Sequence, residues 1–114
     1  MSLTVYHLKT CDTCRKAMKA LKERHDLELV DVRADGVEKA IISEWIEAVG
    51  YEAVLNTRST TWRGLQEADK ADMNSDKALD LLVAHPTLIK RPAITDGKTI
   101  TIGWKADAQK AWLS

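Results

Sequence analysis

A β-prone run, a Cys-x-x-Cys and a stretch of helical periodicity follow one another without interruption at Val5-Tyr6-His7-Leu8-Lys9-Thr10-Cys11-Asp12-Thr13-Cys14-Arg15-Lys16. That succession sets a strand-to-helix junction near the front of the chain. Both cysteines of the sequence lie in it. A helix that starts just after Cys11 directs the unpaired N–H groups of its first turn outward, and their partial positive charge favours a thiolate at that sulfur. The thiolate is the reactive form of cysteine. Cys14, about one helical turn further on, is within reach of a mixed disulfide on Cys11, so the spacing reads as an attacking thiol followed by a resolving one.

Three other readings compete. A zinc site needs a second Cys-x-x-Cys or a His pair, whereas His7, His25 and His85 are scattered. A purely structural disulfide between Cys11 and Cys14 closes a very small loop and constrains little of the unfolded chain. Cys14 can also be a small buried residue with no part in turnover. Thiol redox or nucleophilic chemistry fits the pattern best, and no metal is expected.

The alternation along the rest of the chain supplies a framework for this junction. Leu3 to His7 reads as a buried strand, Arg15 to Arg24 as a helix with Ala17, Leu21 and Met18 or Ala20 on one face, and Leu27 to Val32 as a second strand. A β-α-β unit with parallel strands is the economical arrangement. Asp35-Gly36 marks a turn, after which Ile41, Ile42, Trp45, Ile46 and Val49 recur at helical spacing until Gly50 offers a stop. From Glu52 to His85 the pattern is helical and polar. Ala53-Val54-Leu55 forms an apolar anchor, Asn74-Ser75-Asp76 a helix start, and Ala78, Leu79, Leu81, Leu82 and Val83 face a core. Beyond His85-Pro86, Leu88-Ile89, Arg91-Pro92, Ala93-Ile94, the Asp96-Gly97 turn and Thr99 to Ile102 together read as a β-hairpin, and Lys105 to Leu113 as a closing helix. The expected fold class is α/β. It is a single thioredoxin-like domain over residues 1–114, a mixed β-α-β…β-β-α sheet with a helical insertion at about 36–85.

Composition narrows the partners. With 17 acidic and 17 basic residues the net charge is zero, so bulk electrostatics point to neither nucleic acid nor membrane, and any electrostatic function is local. No apolar run approaches the roughly 20 residues that span a bilayer, and the N-terminus lacks a basic stretch followed by an apolar one. A cytoplasmic monomer is the expectation.

Three motifs, taken in order, make a resemblance specific: Cys11-Asp12-Thr13, then Leu55-Asn56-Thr57-Arg58-Ser59-Thr60-Thr61-Trp62-Arg63, then Ile89-Lys90-Arg91-Pro92. Through them the chain resembles, over essentially its whole length, the ArsC family of thioredoxin-like, arsenate reductase-like proteins, and within it the YffB-type branch. Spx is a more distant relative.

The resemblance implies a cysteine that works with glutathione or another small thiol as co-substrate, with no bound cofactor. Cys11 matches the family nucleophile, Arg91 an arginine beside it, and Pro92 a proline that is cis in the family. On this basis Cys11, Cys14 and Arg91 are the catalytic candidates. Arg91 stabilises the thiolate and binds an anionic group, and Lys9, Thr10, Arg58, Arg91 and Pro92 are candidates for holding the substrate or glutathione. The hydroxyls around Arg58 and Arg63 can equally cap a helix, Lys9 can be a solvated loop charge, and Trp62 reads as a packing residue. Arsenate reductases of the family carry a further arginine after the last hairpin, where this chain reads Thr101-Ile102-Gly103-Trp104-Lys105. Fewer fixed donors weaken oxyanion binding. The expected function is a glutathione- or thiol-dependent reductase acting on a disulfide, mixed disulfide or oxidised small substrate. The alternatives are an arsenate reductase and, from another class, an Spx-like redox-sensing transcriptional regulator.

Overall fold

The computed structural model describes residues 2–113. It divides into two compact units, one taking the chain up to Asp35 and again from Arg91 onward, the other running Gly36–Lys90.

The first unit is built on a four-stranded sheet of β1 (Ser2–His7), β2 (Asp26–Asp31), β3 (Ala93–Thr95) and β4 (Ile100–Ile102), in the order β2-β1-β3-β4. β1 runs parallel to β2 and antiparallel to β3, and β3 runs antiparallel to β4. Helix α1 (Asp12–Leu21) provides the crossover that a parallel pair requires. Helix α7 (Ala106–Leu113) closes the chain. Alternation sends Leu3 and Val5 of β1 to one face, where they meet Leu21 of α1, Ile94 of β3 and Trp112 of α7 in a common core. The end of α7 is held in place by hydrogen bonds. Trp112 Nε1 donates to Thr101 Oγ1 at 2.7 Å, Arg24 Nη1 donates to the Leu113 carbonyl at 2.6 Å, and His25 Nε2 donates to the Trp112 carbonyl at 2.8 Å.

The second unit is helical. Helices α2 (Lys39–Val49), α3 (Tyr51–Val54), α4 (Thr60–Arg63), α5 (Glu67–Lys70) and α6 (Ser75–Ala84) are followed by a 3-10 turn at Pro86–Leu88. Ile42 and Trp45 of α2, Ala78 and Leu82 of α6, and Val54, Leu55, Leu88 and Ile89 are its buried residues. Gly50 separates α2 from α3 with φ of 86°, a backbone conformation that a residue with a Cβ avoids. Asn74 starts α6 as read from the sequence, its Oδ1 accepting the Lys77 N–H at 2.9 Å.

The α/β class, the thioredoxin-like order of strands and the hairpin at Asp96-Gly97 agree with the sequence reading. Three details differ. Leu88-Ile89 is not part of the hairpin: Pro86 starts a 3-10 turn, and Ile89 forms an isolated antiparallel bridge to Leu55 instead. Helix α1 begins at Asp12, three residues before the apolar periodicity starts, because polar residues occupy its first turn. Val83 of α6 and Leu29 of β2 are exposed, at 38% and 51%, rather than in a core. β2 is an edge strand, and alternation places Leu29 on the face opposite the part-buried Val30.

Candidate active site

Register places the ends of three sheet strands together. His7 pairs with Asp31 across β1 and β2, and Tyr6 is flanked by Val30 on one side and Ala93 on the other. The C-terminal ends of β1 and β2 and the start of β3 therefore lie at one end of the sheet. In open α/β sheets, loops beyond the carboxyl ends of the strands build binding sites. Here the Leu8 to Cys11 loop and the Arg91-Pro92 pair converge on that end.

The loop is short and tied down. The Cys11 N–H donates to the Leu8 carbonyl at 3.0 Å, and the Cys11 carbonyl accepts the Arg15 N–H at 3.1 Å, the first bond of α1. Cys11 is thus the N-cap, extended at φ −90° and ψ 113°, with its sulfur beside the unpaired amides of the first turn. Its sulfur completes no full capping hydrogen bond. Even so, the surroundings favour the thiolate. Partial burial pushes the Cys11 thiol up, but the Cys14 N–H and thiol and the Arg91 guanidinium outweigh it and hold the pKa below that of an ordinary thiol.

Cys14 is its opposite. It is fully buried on the inner face of α1 with Ala17 and Leu21. Burial, the largest effect, pushes its pKa up to about 12, reinforced by the Cys11 sulfur and opposed by the Leu8 backbone and Arg91. Both cysteines are free thiols. One sulfur is biased toward the anion, and its neighbour is held protonated and donates to it.

Arg91 is part-exposed, and the peptide bond joining it to Pro92 is cis. Pro92 is fully buried, and its carbonyl accepts the Gly103 N–H at 2.9 Å, linking the start of β3 to the end of β4. The guanidinium that acts on Cys11 is thus carried by a segment fixed in the sheet. Among the described residues, no three His, Cys, Asp or Glu side chains converge as metal ligands.

A model of the ArsC family matches residues 6–112, a span that includes all of these groups. The chain belongs to the ArsC family. An uncharacterized protein of Haemophilus influenzae is 43% identical over 101 residues, 86% of this chain and 88% of that protein. A solved structure of a YffB protein matches with a TM-score of 0.91 at 37% identity, covering 98% of this chain and 99% of that one. The global transcriptional regulator Spx of Lactiplantibacillus plantarum is a more distant relative, 26% identical over 113 residues, 96% of this chain and 84% of its own length. The relatives of this chain thus include a protein named as a transcriptional regulator.

Within this ArsC-family chain the structure brings Cys11, Cys14 and Arg91 together, with Pro92 fixing the last. Lys9 and Thr10 are exposed on the loop that leads to Cys11. The charge of Lys9 acts on Asp31, whose carboxylate lies below the usual range chiefly because its Oδ1 accepts the N–H groups of Ala34 at 3.0 Å and Arg33 at 2.9 Å. Arg58 lies in the helical unit, exposed, on a loop where its N–H donates to Asn56 Oδ1 at 3.1 Å. Ser59 caps α4 by accepting the Trp62 N–H at 3.1 Å, which is the capping role open to that hydroxyl-rich stretch. Trp62 is only part-buried, with the Lys70 ammonium 5.6 Å from its ring centroid.

The sequence reading did not single out His7 and Asp31, which are paired at the strand ends and both buried, at 7% and 9% exposure. The available signal was positional: polar residues closing two paired strands on the side that carries the cysteine loop.

Proposed function

We propose that this protein is a thiol-dependent reductase in which the Cys11 thiolate attacks a disulfide or glutathione mixed disulfide, and in which glutathione, rather than Cys14, releases the product. The asymmetry of the two cysteines carries this reading. Cys11 is part-exposed and biased toward the anion, while Cys14 is fully buried and held protonated. In the first step the Cys11 sulfur bonds to the glutathione sulfur of the mixed disulfide and the substrate leaves as a thiolate. In the second, a glutathione thiolate attacks that same glutathione sulfur. Oxidised glutathione departs with both electron-deficient sulfurs, and Cys11 returns as the thiolate. Arg91 balances the charge on Cys11 in the resting state and receives an anionic group of the incoming thiol, with Lys9 and Thr10 on the adjoining loop as further contacts. Cys14 serves as the buried hydrogen-bond donor to Cys11.

The test is NADPH consumption coupled through glutathione and glutathione reductase, with a glutathione mixed disulfide and arsenate offered in parallel. Turnover of the mixed disulfide that disappears in Cys11→Ser and persists in Cys14→Ala supports the reading. Turnover lost in Cys14→Ala, with the fold intact by circular dichroism, replaces the glutathione step by a dithiol one. Absence of turnover with either substrate overturns the enzyme reading in favour of a redox-sensing regulator, the reading that the similarity to Spx supports. Arsenate is the weaker substrate in this account, because no arginine follows the hairpin between Thr101 and Lys105.

A further inference from the structure

The helical unit contains a cleft of about 380 Å³ whose lining mixes the apolar Leu55, Met73 and Trp62 with the polar Tyr51 and Thr57, the ammonium groups of Lys70 and Lys90 and the single carboxylate of Glu52. Its volume falls within the ordinary range of small-molecule sites, about 300–1,000 Å³. Three features argue that it is a preformed site rather than a gap between surface side chains.

First, its wall is rigid. The strand-like segment at Leu88 to Lys90 is tied to Val54–Asn56 by the Leu55–Ile89 bridge, by the Lys90 N–H donating to the Val54 carbonyl at 2.7 Å, and by the Asn56 N–H donating to the Leu88 carbonyl at 2.8 Å. Second, Trp62 is held by the N-cap of its short helix and through its neighbour Thr61. Ser59 caps the Trp62 N–H, and the neighbouring Thr61 hydroxyl bonds the Thr87 hydroxyl at 2.6 Å. Third, its charge is uncompensated. Neither lysine of the cleft is a member of the ion pairs Arg15–Asp12 and Lys39–Asp80, and Lys70 lies over the Trp62 ring instead. Two ammonium groups share the lining with one carboxylate, a local charge of about +1 in a part-enclosed cleft, where an opposite charge interacts more strongly than in bulk water.

We propose that this cleft binds a small planar anion: a one- or two-ring aromatic body packed on Leu55, Met73 and the Trp62 ring, with a carboxylate held by Lys70 and Lys90. Lys70 lies 5.6 Å from the Trp62 centroid, so a ring packed against the indole brings its acidic substituent within ionic reach of that ammonium. The segment from Leu55 to Trp62 and the Lys90 that precedes Arg91 belong to the sequence motifs left outside the thiol chemistry. This ligand site goes beyond the reductase reading and stands without it.

The probe is 2-naphthoate, with the neutral 2-naphthamide as its isostere, titrated into the ¹⁵N-labelled protein. Loss of a signal in Trp62→Phe identifies the Trp62 indole N–H among those of the four tryptophans. The expected result is a saturable millimolar shift of the Trp62 indole by naphthoate, weakened about fivefold in Lys70→Gln and in Lys90→Gln as one charge contact is removed, and weaker still for the amide. The same titration on Cys11→Ser should be unchanged, which separates this site from the thiol. No shift of the Trp62 indole, equal binding of the amide, or unaltered binding in both lysine variants overturns the proposal.

Discussion

At the scale of single residues, the proposed chemistry rests on two sulfurs one helical turn apart whose environments diverge. Cys11 takes the N-cap and faces the amide end of α1, while Cys14 points inward to the core with Ala17 and Leu21. Position along the helix separates them: Cys11 is the N-cap at the open start of α1, whereas Cys14, one turn further in on the same side, is covered by the core that Ala17 and Leu21 join. The bias of Cys11 toward the anion is the work of Cys14 and Arg91 acting against partial burial. Removing either should therefore move the Cys11 titration upward. We expect the rate of iodoacetamide alkylation of the wild-type protein to reach half its plateau at a pH below that of an ordinary thiol. In Arg91→Ala and in Cys14→Ala the midpoint should rise, so alkylation at pH 7 slows while the high-pH plateau stays the same. A midpoint in Arg91→Ala that coincides with the wild type removes Arg91 from the account of Cys11. That Arg91 stands beside Cys11 was legible from residue type and motif. The burial of Cys14 was legible only as an alternative, because periodicity tells which face a side chain joins but not how deeply that face is covered.

At the scale of elements, the signals that worked were those with a local physical cause. Asn74 was readable as a helix start because an Asx oxygen satisfies an orphan N–H, and Gly50 as a stop because it accepts a positive φ. Both make quantitative predictions. Asn74→Ala should cost about 1 kcal/mol of unfolding free energy by urea titration. Gly50→Ala should cost roughly 1–3 kcal/mol, although a Cβ there meets nothing within 4 Å, so its effect is one of backbone conformation alone. If Gly50→Ala leaves the urea midpoint unchanged, the turn between α2 and α3 is not held at φ 86° in solution. The less legible elements lacked such causes. Leu88-Ile89 has β-prone composition, yet its neighbours decide its state: Pro86 favours a turn, and Leu55 offers a single bridge. Val83 matches the helical stripe of α6 but lies at the stripe's margin, where a small rotation changes burial to exposure. The cleft of the helical unit was invisible, since Trp62, Lys70 and Lys90 are brought together by tertiary packing that no window of sequence reveals.

At the scale of the molecule, the sheet unit is discontinuous in sequence: β1 and β2 come from the first 31 residues, whereas β3 begins at Ala93. Val5 pairs with Ile94, so the central pairing of the sheet joins residues 89 positions apart. The register limits what this costs. Val30 and Ala93 both flank Tyr6, on opposite sides, so the chain leaves β2 and re-enters at β3 across two strand spacings, about 10 Å. A folded Gly36–Lys90 unit between those points shortens the effective loop that β1–β3 pairing must close. Replacing some 55 flexible residues by a connection of about 10 saves roughly 1.5 kcal/mol of closure entropy, about a tenfold change in rate. Leu82 is fully buried in α6 of the helical unit and is not a member of the sheet unit's core of Leu3, Val5, Leu21, Ile94 and Trp112. We therefore expect Leu82→Ala, which leaves a cavity worth about 2–5 kcal/mol, to slow folding by up to about tenfold in stopped-flow measurements as well as to speed unfolding. A chevron in which only the unfolding arm moves shows instead that sheet pairing forms first across an unstructured loop.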